Sequence, residues 1–366
     1  MNLLKFPGKK EDKDIKDDFV LTDRKKELLL NSIESYIESA IPITSEKVHA
    51  DMFVSLSPAT LRNELSALEE MGYLKQLHTS GGRIPTTKAY RYFVNSLMEN
   101  NKFNVEDINV VKDKFFNRSA FLTEILDNIA KSISEITNYP TFVQLRGFDE
   151  LVLEAINVIP LLTGQALVLI RTNAGIINNS IALNSEMTEE NCKDASKFLT
   201  TNLYNKKVID VINNFNYYNN LLKNQIKFYR ELFLSLTEIL KNYSQKGSFT
   251  KNVNPSKLLT NPEYKDINNA TKFLNLIENE EEIKDIINNI NENTDTDIMF
   301  SIGEENNNEN LNDYSIIKAN YKISDGLVTS IGVVGLKRMD YAGIASALKY
   351  IVDELKKQNI KGENDA

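Results

Sequence analysis

A serine–proline pair, Ser57-Pro58, opens the stretch that most limits what this chain can fold into. Serine just ahead of a helix accepts a hydrogen bond from a free N–H of the first turn. Proline fits the first helical position because its φ is already helical and its missing N–H would have had no partner. Leu61, Leu65 and Leu68 then recur at helical spacing, and Gly72 supplies the stop. One side of this helix must be buried. The side facing away, near the start, carries Ala59, Thr60, Arg62 and Asn63, none of them a large apolar residue.

Two helical patterns precede it. Thr22 or Asp23 suits the cap of a first helix, whose Leu29, Ile33, Tyr36 and Ile37 share one face. Ile41-Pro42 ends that helix, because a residue before proline avoids the helical region. Thr44 and Ser45 cap a short helix running to about Met52. Beyond Gly72, residues 73–77 and Arg83-Ile84-Pro85 read as two strands joined by a hairpin whose tip holds Gly81 and Gly82. Helix, short helix, turn, capped helix and glycine-tipped hairpin, in that order, spell a winged helix-turn-helix, whose capped helix enters a DNA major groove.

Charge supports this only when taken locally. A net charge of −8 at pH 7 disfavours a DNA binder. Residues 1–95 hold equal numbers of basic and acidic side chains, so the negative excess lies entirely in residues 96–366. No residue between Glu70 and Glu99 is acidic, and that window holds Lys75, His78, Arg83, Lys88 and Arg91. A cationic surface on an otherwise acidic protein attracts phosphate, and the acidic remainder keeps DNA off the rest.

Ala59, Thr60, Arg62 and Asn63 suit base edges, with Arg62 matching guanine or phosphate and Asn63 matching adenine. The helix start at Ser57 adds free N–H groups that attract phosphate. In the hairpin, Thr79, Ser80 and Arg83 offer donors to phosphates or a minor groove, and the glycines allow close backbone approach. Each of these has a plainer alternative. Winged helices also mediate protein contacts. Arg62 equally suits a surface ion pair, Asn63 a bond inside the domain, and His78 a brace for the hairpin.

The rest of the sequence divides by pattern. Residues 1–20, rich in charge and poor in apolar residues, are expected to be a flexible tail. A helix is expected over 105–138, with Leu122, Leu126, Ile129, Ile133 and Ile136 as its stripe. Short β-prone runs follow at 142–145, 151–159, 165–171 and 176–183. Helix returns over 189–246, with Phe198, Leu199, Leu232, Leu236 and Ile239 in the core, and an Asn- and Glu-rich helical stretch covers 253–293. Strands are expected at 298–303, 315–323 and 327–334, the last two joined by the hairpin pair Asp325-Gly326. The asparagines at 306–308 read as a loop. A final helix carries Ile344, Leu348, Ile351 and Leu355 on one face; Lys337-Arg338-Met339 leads into it, with Asp340 as its cap. Two groups of strands split by helices make an α+β fold with a helical insertion.

Several functional classes are disfavoured. No apolar run is long enough for a bilayer and the first residues lack the apolar middle of a signal peptide, so a cytoplasmic protein with no membrane partner is expected. Cys192 is the single cysteine, and His49 and His78 are the two histidines, which argues against a disulfide or a metal site. HExxH, GxSxG and GxGxxG spacings are missing, so no catalytic residue and no cofactor are expected.

At this point the residues themselves are recognisable. Ser57-Pro58-Ala59-Thr60-Leu61-Arg62-Asn63-Glu64-Leu65, Leu68-Glu69-Glu70-Met71-Gly72-Tyr73-Leu74, His78-Thr79-Ser80-Gly81-Gly82-Arg83-Ile84-Pro85-Thr86 and Tyr90-Arg91-Tyr92-Phe93-Val94 resemble the heat-inducible transcription repressor family HrcA. So do Leu258-Leu259-Thr260-Asn261-Pro262-Glu263-Tyr264, Ile302-Gly303-Glu304-Glu305-Asn306 and Gly332-Val333-Val334-Gly335-Leu336-Lys337-Arg338-Met339-Asp340-Tyr341, in the family's order across residues 21–357. Gly81 stands where the family more usually has Ala, and Leu336 where it has Pro. Neither change removes a polar DNA contact, though Gly81 loosens the wing.

The resemblance implies a winged-helix domain over 21–100, a GAF-like sheet domain in two segments, 101–185 and 248–366, and an inserted dimerising domain over 186–247. It implies a homodimeric repressor on double-stranded DNA, bound to the inverted-repeat operator CIRCE upstream of GroE- and DnaK-type chaperone operons. A GroEL-type chaperonin would keep it active until unfolded proteins divert that chaperonin. Ser57, Ala59, Thr60, Arg62, Asn63, Lys75, His78, Thr79, Ser80, Arg83, Lys88 and Arg91 are then the expected DNA surface. GAF-like domains elsewhere bind small molecules, which leaves a ligand-gated winged-helix regulator as the alternative.

Overall fold

The computed structural model describes residues 21–51, 53–78, 81–99, 122–161, 164–182, 188–221, 227–245, 248–254, 256, 267–290, 298–324 and 326–364. Expectations for the tail at 1–20, for residues 105–121 and for the 258–264 motif lie outside them. The chain divides into two compact units, Met1–Asn95 and Ser96–Ala366.

In the first unit, α1 (Asp23–Ser39) begins where Thr22 accepts a hydrogen bond from the Lys25 N–H. It ends on Ala40, whose left-handed backbone (φ 56°) turns the chain just before Ile41-Pro42. Thr44 starts α2 (Ser45–Asp51) by accepting from the Lys47 N–H at 3.2 Å. Ser57 starts α3 (Pro58–Glu70) by accepting from the Thr60 N–H at 3.1 Å. Gly72 follows in the left-handed region, φ 78°, its N–H donating to the Glu69 carbonyl at 2.8 Å. Leu28, Leu29 and Ile33 of α1, Val48 of α2, and Leu61, Leu65 and Leu68 of α3 are all buried. Each such side chain stabilises the unit by about 1.5–3 kcal/mol through burial. The wing pairs β1 (Leu74–Gln76) with β2 (Arg83–Pro85), antiparallel. Ile43 adds a third rung to it by exchanging two backbone hydrogen bonds with Arg83, 2.7 and 2.9 Å. A helix absent from the expectations, α4 (Thr87–Glu99), begins in this unit, where its Ala89, Tyr90, Phe93 and Val94 are buried.

The second unit contains, in chain order, α5 (Leu122–Thr137), β3 (Thr141–Arg146), β4 (Val152–Pro160), β5 (Gln165–Thr172), β6 (Gly175–Ala182), α6 (Glu189–Leu203), β7 (Lys206–Lys207), α7 (Val208–Asn213), α8 (Phe215–Leu221), α9 (Lys227–Gln245), β8 (Ser248–Val253), α10 (Ile267–Glu278), α11 (Glu280–Asn289), β9 (Ile298–Ile302), β10 (Tyr314–Ser324), β11 (Leu327–Leu336) and α12 (Tyr341–Asn364). A five-stranded antiparallel sheet runs in the order β8–β3–β11–β10–β9. Alternation along β10 sends Ser315 and Tyr321 to one face, where they bond Tyr341 and the Leu355 carbonyl of α12. Ile316 points the other way, into a cluster with Phe273, Ile277, Ile283, Ile286 and Ile287 of α10 and α11. Lys318 is fully buried there and donates to the Ile287 carbonyl at 2.9 Å, satisfying a carbonyl of the last turn of α11.

A second, four-stranded sheet runs β6–β5–β4–β7. Since β7 covers only the first residues of β4, α6 completes that edge. Its Thr200 and Ser196 hydroxyls accept from the Ile156 and Val158 N–H groups, each at 2.9 Å. These bonds satisfy two edge N–H groups that another strand would otherwise pair with.

The sequence pattern groups the strand runs at 151–183 with 142–145 in one sheet domain ending at 185, ahead of a helical insertion. Instead, β4, β5 and β6 lie in a sheet separate from β3. The chain leaves the larger sheet after Arg146 and rejoins it at Ser248, so the excursion between them includes strands. Alternation identifies a strand and its buried face but says nothing of its partner. Strand β8 escaped notice because Ser-Phe-Thr-Lys-Asn-Val holds few apolar residues. The asparagines at 306–308 are more ordered than a loop. Asn306 is buried, and its Nδ2 donates to the Gly303, Leu311 and Tyr314 carbonyls at 2.8, 3.3 and 3.0 Å. Asp340 caps α12 as expected, its Oδ1 accepting from the Gly343 N–H at 2.9 Å.

Candidate nucleic-acid interface

Burial of Leu61, Leu65 and Leu68 fixes the rotation of α3 and leaves Ala59, Arg62 and Asn63 exposed, with Thr60 half-buried beside them. Ser57 and Thr60 join hydroxyls at 2.9 Å, which stiffens the first turn. That turn has no acidic residue, so the positive end of the helix dipole meets solvent without a carboxylate to compete. Just ahead of it Val54 is 72% exposed, an apolar group the sequence reading overlooked.

Arg62 leans toward Glu46 of α2 at 3.5 Å, and the two side chains are 69% and 66% exposed. A pair this open contributes little and does not hold the guanidinium away from an incoming phosphate or base. The Glu46 carboxyl lies below the usual carboxylate range, first because its own backbone N–H donates to it, with Ser45, Arg62 and Thr44 adding to the effect. Asn63 has no side-chain partner among the described residues.

On the wing, Lys75 and His78 are exposed, and neither side chain has a partner among the described residues. The turn after His78 closes through the Gly81 N–H, which donates to the His78 carbonyl at 2.8 Å. Thr79 and Ser80 lie outside the described residues. Gly82 serves packing within the unit: a Cβ there would lie 2.6 Å from the Pro42 Cβ.

Arg83 and Lys88 differ from their expected places. The Arg83 side chain is only 14% exposed. Its Nε donates to Glu69 Oε2 at 2.8 Å and a terminal nitrogen to Ser66 Oγ at 3.0 Å. Lys88 donates to the Met71 carbonyl at 2.7 Å and sits 4.4 Å from the Tyr73 ring centroid, closing the C-terminal end of α3. Arg91 is half-buried on α4. Charge along a sequence shows that a cation is present, whereas its direction depends on strand pairing and on which carbonyls a helix leaves open. Glu69 and Ser66 were therefore missed as partners, although their spacing of three places both on one face of α3. Glu64 likewise binds Arg24 and, at 3.7 Å, Lys25, which ties α3 to α1.

The geometry thus joins an exposed, acid-free helix start to a wing whose described residues expose Lys75 and His78. Among the described residues no cluster of His, Cys, Asp or Glu is placed to hold a metal ion, and no helix is long and apolar enough to cross a membrane.

Comparison with known proteins agrees with both units. Residues 20–99 match the family model "Winged helix-turn-helix transcription repressor, HrcA DNA-binding", and residues 123–345 match "HrcA protein C terminal domain". A heat-inducible transcription repressor HrcA from Caldanaerobacter subterraneus subsp. tengcongensis is 33% identical, over 92% of this chain and 96% of its own. Another from Acetivibrio thermocellus is 30% identical, over 92% and 95%. A solved structure of a hypothetical protein aligns with a TM-score of 0.71 at 20% identity, over 92% of this chain and 98% of that one, a likeness of fold.

Proposed function

The chain belongs to the HrcA family of heat-inducible transcription repressors, and from that premise we propose that it silences heat-shock chaperone operons as a dimer on an inverted-repeat operator of the CIRCE type. The observation that carries this reading is the first turn of α3, capped by Ser57, free of acid and open to solvent. Ala59, Thr60, Arg62 and Asn63 read base edges from it. Lys75, His78, Thr79 and Ser80 contact phosphates from the wing, and Lys88 and Arg91 add longer-range attraction. An operator with two-fold symmetry demands two such units, one per half-site. The five-stranded sheet with its helices is the GAF-like domain, and the excursion between Arg146 and Ser248 is the dimerising insertion. Repression is steric, and a GroEL-type chaperonin shifts the population of a marginally stable chain toward its DNA-binding form. Its place of action is the cytoplasm.

A mobility-shift titration tests this with a labelled inverted-repeat duplex and a scrambled duplex of equal length, each with and without chaperonin. The repeat should bind at least tenfold tighter than the scrambled duplex, and chaperonin should raise the active fraction. Equal retardation of the two duplexes would remove the claim of sequence-specific repression.

A further inference from the structure

We propose that Arg83 is a positioning residue for DNA recognition, its guanidinium setting the angle between the wing and α3. This rests on the reading of the first unit as a DNA reader. The planar group bonds Glu69 at 2.8 Å and Ser66 at 3.0 Å, two residues nearly one turn apart on α3. Two anchors for one rigid plane fix an orientation, which the point charge of a lysine does not. The contact is partly shielded, with the Arg83 and Glu69 side chains 14% and 30% exposed. Through its backbone, the same residue pairs with Ile43 at 2.7 and 2.9 Å. One residue thereby ties the wing to the reading helix and to the connection between α1 and α2.

The wing depends on such a tie. Its strands pair over only three residues each, and a two-stranded ribbon that short holds no fixed angle unaided. Lys75 and His78 lie on β1 and at the turn that follows it. They meet phosphates flanking the site read by α3 only when the wing stands at one angle to that helix. Glu69 then has a role that its charge alone contradicts: an acidic residue that strengthens binding to DNA.

The test exploits that contradiction in the full-length chain, with the inverted-repeat and scrambled duplexes as probes. Glu69→Gln removes a negative charge, so charge alone makes both duplexes bind more tightly. The brace has the opposite consequence for the operator. Affinity there should fall roughly tenfold, the scale of one lost charged hydrogen bond, while the scrambled duplex is unaffected or gains. Arg83→Lys should show the same loss of discrimination at unchanged charge, and Arg83→Glu combined with Glu69→Arg should recover part of it. Operator affinity for Glu69→Gln equal to or above that of the parent overturns the proposal. So does Arg83→Gln weakening both duplexes alike with a salt slope lower by about 0.9, the mark of a phosphate contact. Amide exchange at Leu77, whose N–H donates to the Gly82 carbonyl at 3.3 Å, gives a readout without DNA. It should quicken in Glu69→Gln, and an unchanged rate counts against the brace. A parent chain that shifts neither duplex defeats the DNA reading itself, and the exchange rate still decides whether the brace exists.

Discussion

Arg62 and Arg83 carry the same charge and each has a glutamate within reach, yet their energetics diverge. Arg62 shares a 3.5 Å contact with Glu46 in open water, where screening leaves almost nothing. Removing it should scarcely change stability. On the operator, Arg62→Ala should cost about 1–3 kcal/mol, seen as a titration weaker by about 5- to 150-fold; unchanged affinity would strip Arg62 of its reading role. Ser57 illustrates a local cause of another kind. Its Oγ holds the Thr60 N–H at 3.1 Å, so Ser57→Ala leaves an orphan donor at the start of α3 and should lower the unfolding free energy by about 1 kcal/mol. The denaturant midpoint measures that loss, and an unmoved midpoint would mean that the cap contributes nothing. Such a cap is legible in the sequence because every participant lies within three residues. The direction of Arg83 is not, because it depends on the pairing of Ile43 with a strand forty residues later.

Among elements the same division holds between near and far causes. Leucine spacing and a serine–proline start were enough to place α3, and Asp340 marked the start of α12. The grouping of β3 with β8, and of β4 with β7, was illegible, since strand partners are chosen by tertiary packing and by how connections run. How α6 meets β4 is a case in which a helix finishes a sheet edge through two hydroxyls. On the same helix, Cys192 is 1% exposed, and burial pushes its thiol above the ordinary range. Both burial and the scarcity of thiolate slow its chemistry. Alkylation by iodoacetamide should therefore run about a hundredfold slower in the native chain than in the denatured one, and should accelerate as heat opens this region. As the single cysteine, it reports that opening without interference. A native rate matching the denatured one would show that α6 is not held against the sheet.

At the scale of the whole molecule, charge and symmetry act against each other. The negative excess lies entirely beyond residue 95, so charge disfavours DNA on residues 96–366 and favours the approach proposed above, through the acid-free start of α3. Repulsion of this kind makes a single unit a weak binder and turns it so that only one surface approaches the duplex. In the dimer proposed above, two reading helices escape this weakness. Once the first reading helix is seated, the second meets its half-site at a high effective concentration, which multiplies affinity by about 10²–10⁴ without any new kind of contact. An isolated half-site should therefore bind the full chain at least a hundredfold more weakly than the intact inverted repeat. The salt slope should roughly halve, because half as many phosphates are neutralised. Changing the spacing between half-sites by five base pairs turns them to opposite sides of the duplex and should cost nearly as much as deleting one of them. A chain that bound the half-site and the intact repeat with equal affinity and equal slope would be acting through one unit at a time, and neither the dimer nor the need for an inverted repeat would survive that result.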